Sequence, residues 1–321
     1  MDEGGTMLLR PSIVTAAGHR MPPRVDHRSS AASGGRATAR RSLVLALVTL
    51  AGVLLPAPAA RAATGQWITT CNYSHSLRDD PIVSPGRAGA SHMHDFIGAA
   101  AADADATVRG LQAGGTTCVM RGDTSAYWVP ALYEGGERVL PTATSKHALF
   151  YYRHAGVQAS TVLRTIPDGL KIIVGTSNAT SISGNDGLRT GRIFWKCGPG
   201  SGTHLSSPPS QCSSGVMVIS FMFPSCWDGK NLDSPDHKSH MAYPSGGRCP
   251  ASHPVAIPRL VAYVRYPIGS GPIGTISLAS GEHYTAHMDF WNGWRPAALE
   301  WLVNNCLNAA RDCGVNPSVP A

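Results

Sequence analysis

Several patterns that would identify common protein classes are scarce or absent in this chain. Charged residues make up only 15% of the sequence, and no dense Lys/Arg stripe follows residue 62. Nucleic-acid binding requires a basic surface that displaces phosphate counterions. The net charge is +7, but residues 1–62 hold eight arginines against three acidic residues, which leaves about +2 for the rest. We therefore expect no nucleic-acid partner.

Two catalytic or metal-binding motifs are also missing. No C-x-x-C pair occurs, which disfavours a zinc site built from thiolates. No G-x-S-x-G segment occurs, which disfavours an α/β-hydrolase with a serine nucleophile. All eight cysteines follow residue 62, and an even number in an exported chain favours disulfides over free thiols. We expect four bridges, whose pairing the sequence leaves open.

Long apolar runs are equally rare. The run Leu43–Leu55 is too short to cross a hydrocarbon core of ~30 Å at ~1.5 Å per helical residue. It follows Arg40-Arg41 and precedes Ala60-Arg61-Ala62, so residues 1–62 have the form of a signal peptide with an extended basic region. The arginine pair is compatible with either Sec or twin-arginine export. We predict a secreted protein without stable membrane insertion, whose single globular domain covers residues 63–321.

The predicted domain has the features of a mainly β protein. Short runs rich in β-branched and aromatic residues are bounded by turn residues, which predicts strands. These runs are Gln66–Cys71, Ala126–Tyr133, His147–Arg153, Leu170–Gly175, Arg192–Cys197, Val216–Phe223, Leu260–Tyr266 and His283–Trp291. Gly135-Gly136 predicts a two-residue hairpin, and Asn185-Asp186-Gly187 predicts another tight turn. Residues 198–214 are expected to form a loop held by cysteines at its ends.

Helical periodicity is strong in one segment only. Apolar residues recur at i, i+3, i+4, i+7 and i+8 from Leu299 to Leu307, and Pro296 suits the first turn. The run Ala99–Ala106 predicts a second, shorter helix. Together the patterns favour a disulfide-stapled β-sandwich or jelly-roll-like domain with a C-terminal helix.

Histidine and aspartate residues are concentrated in three clusters. These clusters are His92–Asp95, Asp233–His240 and His283–Asp289. In a strand, His92 and His94 would emerge on one face, because side chains alternate along a strand. His283, His287 and Asp289 would likewise share a face. Distant clusters of this kind are typical of an assembled site, and imidazole ligands favour Zn, Cu, Fe or Ni over Ca or Mg.

We predict that this site binds a transition metal, Cu or Zn, and acts on extracellular polysaccharide. The expected ligands, or residues that orient ligands, are His92, His94, His237, His240 and His287. The expected catalytic residues are Asp236, His237 and Asp289, with one carboxylate acting as base or supporting a ligand.

Three alternatives to a metal enzyme stay open. The first is a non-catalytic cell-wall or glycan-binding module that uses exposed aromatic side chains. The second is a metal-free glycoside hydrolase that uses paired carboxylates. The third is a buried hydrogen-bonded network that only fixes loops.

Several segments resemble a known family. They are Asp80–Gly86, Ser91–Phe96, Tyr127–Tyr133, Cys226–His237, Ser239–Pro244, Cys249-Pro250, His253–Val255 with Ile257-Pro258, and Asp289–Trp294. From about Thr69 to Cys306 the chain resembles the domain-of-unknown-function family numbered nineteen-ninety-six, found in secreted fungal and actinobacterial proteins. The resemblance implies that the clustered residues are the family's signature, and it implies no activity. Met288 replaces an expected glycine and Trp291 an expected smaller apolar residue, and neither change removes a polar group.

Overall fold

The computed structural model describes residues 65–141, 148–200 and 202–320, which form a mainly β protein. Its strands are β1 (Gln66–Cys71), β2 (Tyr73–Leu77), β3 (His94–Gly98), β4 (Ala126–Pro130), β5 (Leu132–Glu134), β6 (Glu137–Val139), β7 (Ala148–Arg153), β8 (Lys171–Gly175), β9 (Ile193–Cys197), β10 (Gln211–Cys212), β11 (Val216–Met222), β12 (Cys226–Trp227), β13 (Met241–Ala242), β14 (Val255–Ala256), β15 (Arg259–Pro267), β16 (Gly271–Pro272), β17 (Ile276–Leu278), β18 (Gly281–Glu282), β19 (His287–Trp291) and β20 (Asp312–Val315). Its helices are α1 (Val108–Ala113), α2 (Asp186–Arg189) and α3 (Pro296–Leu302), with a 3-10 turn at His283–Thr285 and a π-helical turn at Val303–Leu307.

The predicted strand runs all contain strands, and the mainly β class is confirmed. Two runs differ in detail. The run from Ala126 is divided at Ala131 between β4 and β5, and the run from His283 begins as a 3-10 turn, so its strand starts only at His287. His147, the expected first residue of another run, lies outside the described residues.

Two large sheets form the body of the protein. The six-stranded sheet has the order β20-β1-β7-β15-β11-β9, and the five-stranded sheet has the order β2-β3-β4-β19-β8. Neighbouring strands are antiparallel except for β1 and β20. Side chains of β7 alternate between buried and half-buried, as expected for an antiparallel strand with one face on a core.

Aromatic side chains from both large sheets meet in one core. Tyr127 of β4 stacks on Phe150 of β7, with ring centroids 3.8 Å apart, and also contacts Phe290 of β19. Trp67 of β1 stacks on Tyr152 of β7 at 4.7 Å. Buried rings remove ~150–250 Å² each from water and dominate the stability of such cores. The two sheets therefore pack face to face as a sandwich.

The five-stranded sheet is buried on its other face as well. Phe96, Trp128 and Trp291 point away from the main core and pack against Ile82 and Leu111 in a smaller second core. This outer face also carries His94 of β3 and His287 and Asp289 of β19, and all three side chains are buried.

The C-terminal helix is confirmed, and the shorter predicted helix is wrong. The five apolar residues of the predicted stripe, Leu299, Leu302, Val303, Cys306 and Leu307, are all buried. Residues 99–106 instead form a β-bridge and turns. The carboxylate of Asp103 accepts a hydrogen bond from the Asp105 amide at 3.0 Å, and such local bonds compete with helix formation. Helix formation begins only at α1, where Thr107 is the N-cap.

The predicted turns have different outcomes. Gly135 and Gly136 form the β5–β6 hairpin with φ values of 58° and 90°. The turn expected at Asn185 is instead the start of α2, because the Asn185 side chain accepts hydrogen bonds from the first amides of the helix. The loop after β9 is closed by the Cys197–Cys212 disulfide.

Four disulfides pair all eight cysteines. They are Cys71–Cys118, Cys197–Cys212, Cys226–Cys249 and Cys306–Cys313. Within the described residues no helix combines the length and the apolar composition that a membrane crossing requires. The predicted signal peptide lies outside the described residues, and the domain boundaries stay a prediction.

Candidate metal centre

The register of the five-stranded sheet brings two distant histidines to one place. His94 of β3 pairs with Pro130 of β4. In the antiparallel β4–β19 pairing, Asp289 lies opposite Trp128. Two residues earlier in β19, His287 therefore lies opposite the same Pro130. Alternation along the strands then places both imidazoles on the outer face, on either side of Pro130. The third imidazole, His92, reaches them from the bend that precedes β3.

The three ring nitrogens have the spacing of ligands on one ion. Nε2 of His287 lies 3.3 Å from Nε2 of His92 and 3.4 Å from Nε2 of His94. One ligand atom from each of the three residues lies within 4.8 Å of the others. Two nitrogens bound at ~2.0–2.1 Å to a tetrahedral zinc ion are about 3.3 Å apart. The three-histidine centre therefore fits a metal ion as it stands.

Main-chain carbonyls fix the tautomers of two of these rings. Nδ1 of His94 lies 2.8 Å from the carbonyl oxygen of Asp79, and Nδ1 of His287 lies 2.9 Å from that of Thr285. A carbonyl oxygen only accepts hydrogen bonds, so each Nδ1 carries the proton and each Nε2 carries a lone pair. The two Nε2 atoms thus point acceptors at each other. Histidine ligands usually have this arrangement, with the second ring nitrogen donating to a carbonyl or carboxylate.

Burial keeps the three rings neutral. His94 and His287 are almost fully buried, and His92 is half-buried. Burial, followed by the charge of His92, lowers the pKa of His287 to about 3. Burial, followed by the charge of Arg78, lowers the pKa of His92 to about 4, and the pKa of His94 is held well below its usual value mainly by burial. Neutral imidazole is the form that binds metals.

A cavity of about 220 Å³ adjoins the three-histidine centre. Its walls include His287, Asp289 and Asp80, together with His237 and Lys238 of the loop that follows β12. Oδ2 of Asp289 lies 3.9 Å from Nε2 of His287 and is buried without a hydrogen-bond partner. Burial, followed by the charge of Asp80, raises the pKa of Asp289 well above its usual value.

His237 reaches this cavity from a strained backbone conformation. Its φ is 56°, in the left-handed region that residues other than glycine rarely adopt. Nδ1 of His237 lies 3.0 Å from a carboxylate oxygen of Asp233. Non-glycine residues held in this region persist only where the surroundings impose it, and they cluster at functional sites.

Comparison with known families matches residues 80–294 to the family described as Domain of unknown function (DUF1996). The matched segment covers well over half of the chain and contains all three histidine ligands of the candidate centre. The chain belongs to this family. Searches of curated proteins and of solved structures found no match.

Four predicted site residues of the DUF1996 segment are outside the three-histidine cluster. Asp236, His237 and Asp289 line the adjoining cavity, whereas His240 does not. His240 is fully buried, with Nδ1 2.9 Å from Oγ of Ser234 and Nε2 2.6 Å from the carbonyl oxygen of Lys171. Both of its ring nitrogens are therefore engaged within the protein. His240 connects the loop that carries His237 to strand β8.

Asp236 has a similar connecting geometry. One carboxylate oxygen accepts hydrogen bonds from Oγ of Ser234 at 2.7 Å and from the amides of Lys238 and Ser239 at 3.1 and 2.8 Å. These bonds, led by that from the Ser239 amide, lower the pKa of Asp236. A carboxylate that is stabilised in this way is a weak base, and the contacts shape the loop.

The sequence prediction differs from the structure at two further positions. His283 was expected to share a strand face with His287, but it lies in the 3-10 turn before β19 and lines a separate surface hollow. Asp80 was not singled out as a site residue, although it borders the cavity. The sequence did mark Asp80 in one way, because it is the first residue of the first segment that resembles the DUF1996 family.

Proposed function

We propose that this DUF1996 protein binds one Cu or Zn ion through His92, His94 and His287 and acts on extracellular polysaccharide after export. The observation that carries the proposal is the contact between Nε2 of His94 and Nε2 of His287, which are 3.4 Å apart. Each Nε2 has a lone pair, because each Nδ1 donates its proton to a main-chain carbonyl oxygen. Imidazole ligands suit Zn and Cu. The four disulfides support export to an oxidising compartment.

The ligand count favours a catalytic centre over a structural one. Structural zinc sites use four protein ligands, whereas catalytic sites use three and leave one position for water or substrate. Within the described residues, the three-histidine group is the only such cluster whose ligand atoms are free, because the other contains the Cys71–Cys118 disulfide. A bound ion of this kind supplies Lewis-acid chemistry at the remaining position.

The residues around the cavity have separate roles in this proposal. Asp289 holds or accepts a proton beside His287, at 3.9 Å. His237, with Nδ1 held by Asp233, presents its Nε2 to a substrate. Asp236 and His240 act as positioning residues, because their polar atoms hold the loop. Thr176, Ser177 and Asn178 line the same cavity, and their side chains provide hydrogen-bonding groups of the kind that sugar hydroxyls need.

The metal part of the proposal is tested by titration calorimetry and elemental analysis. The exported protein is dialysed against a chelator and then titrated with Zn(II) or Cu(II). We expect one ion per chain, and we expect no stoichiometric binding by His287→Ala or by the half-buried His92→Ala variant. The matched control is His204→Ala, because His204 is exposed and stacks on Phe194 of the other large sheet. Failure of the wild type to bind, or equal binding by all variants, contradicts the proposal.

A metal-free glycoside hydrolase is the second candidate, supported by the two neighbouring carboxylates of Asp80 and Asp289. Each has its pKa raised by burial, and the charge of Asp80 acts on Asp289. Release of soluble sugars from insoluble polysaccharide separates the candidates. The metal enzyme loses activity with chelator and regains it with metal, whereas the hydrolase is insensitive to chelator and is inactivated by Asp289→Asn. Retention on the polysaccharide without release of sugars identifies a binding module.

A further inference from the structure

Three half-buried arginines and the buried Lys196 lie on the outer face of the six-stranded sheet, on the opposite side of the sandwich from the three-histidine centre. Arg153 of β7 stands directly opposite Arg259 of β15. Arg265 of β15 and Lys196 of β9 both pair with Val218 of the strand between them. We call this surface the cationic face. Arg153 and Arg259 are like charges directly opposite each other, which destabilises a sheet, whereas β11 separates Arg265 from Lys196.

No ion pair within the described residues compensates these four charges. Nε of Arg259 and Nε of Arg265 are buried without a hydrogen-bond partner. Nε of Arg153 donates to the side-chain oxygen of Gln66, and Nζ of Lys196 donates to the carbonyl oxygen of Gly200. Burial, followed by the charge of Arg265, lowers the pKa of Lys196. Buried donors without partners are costly, and an anion beside these guanidinium groups would compensate their positive charge.

Tyrosine rings lie between the two cationic pairs. Tyr151 and Tyr263 contact each other edge to face with centroids 5.3 Å apart, and both are half-buried. The Arg153 guanidinium lies 4.4 Å from the centroid of the Tyr151 ring. Tyr151, Tyr263, Lys196 and Arg265 border a hollow of about 100 Å³. At ~30 Å³ per water molecule, this hollow holds about three waters or one small anionic group.

The length of the cationic face indicates the kind of ligand. Arg259 and Arg265 are six residues apart in one strand, which corresponds to ~20 Å at ~3.3 Å per residue. One small anion does not reach both ends, whereas an extended polymer with spaced anionic groups does. We infer that the cationic face binds an acidic polysaccharide, with carboxylates at the arginines and sugar rings against the tyrosines.

Charge distinguishes this ligand from nucleic acid. Nucleic-acid binding draws on many phosphate contacts and a strongly basic surface. Here four cations occupy a face of a chain whose net charge after residue 62 is about +2. These cations are too few for the many phosphate contacts on which nucleic-acid binding depends.

Affinity for polygalacturonic acid tests the inference on the full exported protein, with neutral dextran and single-stranded DNA as comparison ligands. We expect binding of polygalacturonic acid that weakens with salt, no binding of dextran, and weaker binding of DNA. Arg265→Gln should lower the affinity by about tenfold or more, because charge-assisted hydrogen bonds are the strong ones. Arg153→Gln, at the other end of the face, gives a second test if the first variant does not fold.

Two controls separate binding from other effects. Arg189→Gln removes the positive charge of an exposed residue on α2 and should leave the affinity unchanged. Arg265→Gln should be at least as stable as the wild type without ligand, because repulsion with Lys196 is relieved, whereas a purely structural role predicts a loss. Chelator should not affect binding. The inference is overturned by absence of binding at low salt, by equal loss in Arg189→Gln and Arg265→Gln, or by tighter binding of DNA.

Discussion

His94 and His287 approach each other through two nitrogens that are both hydrogen-bond acceptors. Two acceptors that face each other repel, and a metal ion bound between them removes this repulsion. The ion binds in this way only to the folded protein. Metal at ~100 times its dissociation constant should therefore raise the free energy of unfolding by about 2.7 kcal/mol. Thermal unfolding with Zn(II) or Cu(II), and again after chelator, measures the effect. Identical midpoints in both conditions would count against a metal site.

Truncation of His92 and of His240 should have opposite consequences. His240→Ala removes a buried ring with two hydrogen bonds to the protein, so we expect a loss of stability of about 2–4 kcal/mol and retention of metal in the folded fraction. His92→Ala removes a half-buried ring, so we expect a smaller loss of stability and loss of metal. Denaturant unfolding combined with metal analysis distinguishes the two. Loss of metal in folded His240→Ala would assign His240 to the centre.

Gly175 controls the position of His287. The two residues are paired in the β8–β19 register, and Gly175 has a φ of 90°. A Cβ atom at Gly175 would lie 2.3 Å from the carbonyl oxygen of Ala286 and 2.9 Å from Cα of His287. Gly175→Ala should therefore displace β19, destabilise the protein by more than ~3 kcal/mol, and weaken metal binding.

The matched control for this change is Gly191→Ala. Gly191 also has positive φ, but a Cβ there meets nothing within 4 Å. Gly191→Ala should lower the free energy of unfolding by about 1–2 kcal/mol, because of backbone conformation alone, and should leave metal binding unchanged. Equal effects of the two substitutions would remove the argument that β8 positions His287.

Asp123 should make stability depend on pH near neutrality. Burial, opposed by hydrogen bonds from Tyr127 and Ser125, raises the pKa of Asp123 to about 7. The folded state therefore binds this proton more tightly than the unfolded state, in which the pKa is ~3.9. The stabilising contribution is complete below pH ~4 and is lost as the pH rises to about 7, by up to about 4 kcal/mol at ~1.4 kcal/mol per unit.

The dependence on Asp123 is measured by denaturant unfolding between pH 5 and 8. In Asp123→Asn the free energy of unfolding should change less with pH, because the amide does not titrate. The variant should also be less stable at pH 5, because both side-chain oxygens of Asp123 accept hydrogen bonds, from the Ser125 amide and the Tyr127 hydroxyl, whereas asparagine has only one acceptor oxygen. An unchanged dependence on pH would show that Asp123 is ionised in the folded protein.

The local parts of the fold could be predicted from the sequence, and the long-range parts could not. The strand of Gln66–Cys71 and the helical stripe from Leu299 follow from side-chain periodicity, which is a local property. The Asn185 segment was predicted as a turn, because a helix cap and a turn use the same residue types. The order of strands in the two sheets depends on contacts that no local pattern records.

The same distinction applies to the candidate site. Spacing alone predicted that His92 lies near His94 and that His287 and Asp289 share a strand face, although His92 lies in a bend and not in the predicted strand. The separation of His240 from the centre depends on the carbonyl oxygen of Lys171, which is 69 residues away in sequence. Asp79 contributes through its main-chain oxygen, which is independent of side-chain identity and so is invisible to motif analysis.

The Nδ1 partners of His94 and His287 are uncharged main-chain oxygens, and this affects which molecules the centre should attract. A carboxylate behind a ligand would partly neutralise a bound cation, whereas the main-chain oxygens of Asp79 and Thr285 leave its charge almost intact. A divalent ion held by three neutral rings should thus remain strongly electrophilic. Small inorganic anions such as azide should then compete for its open position and act as inhibitors.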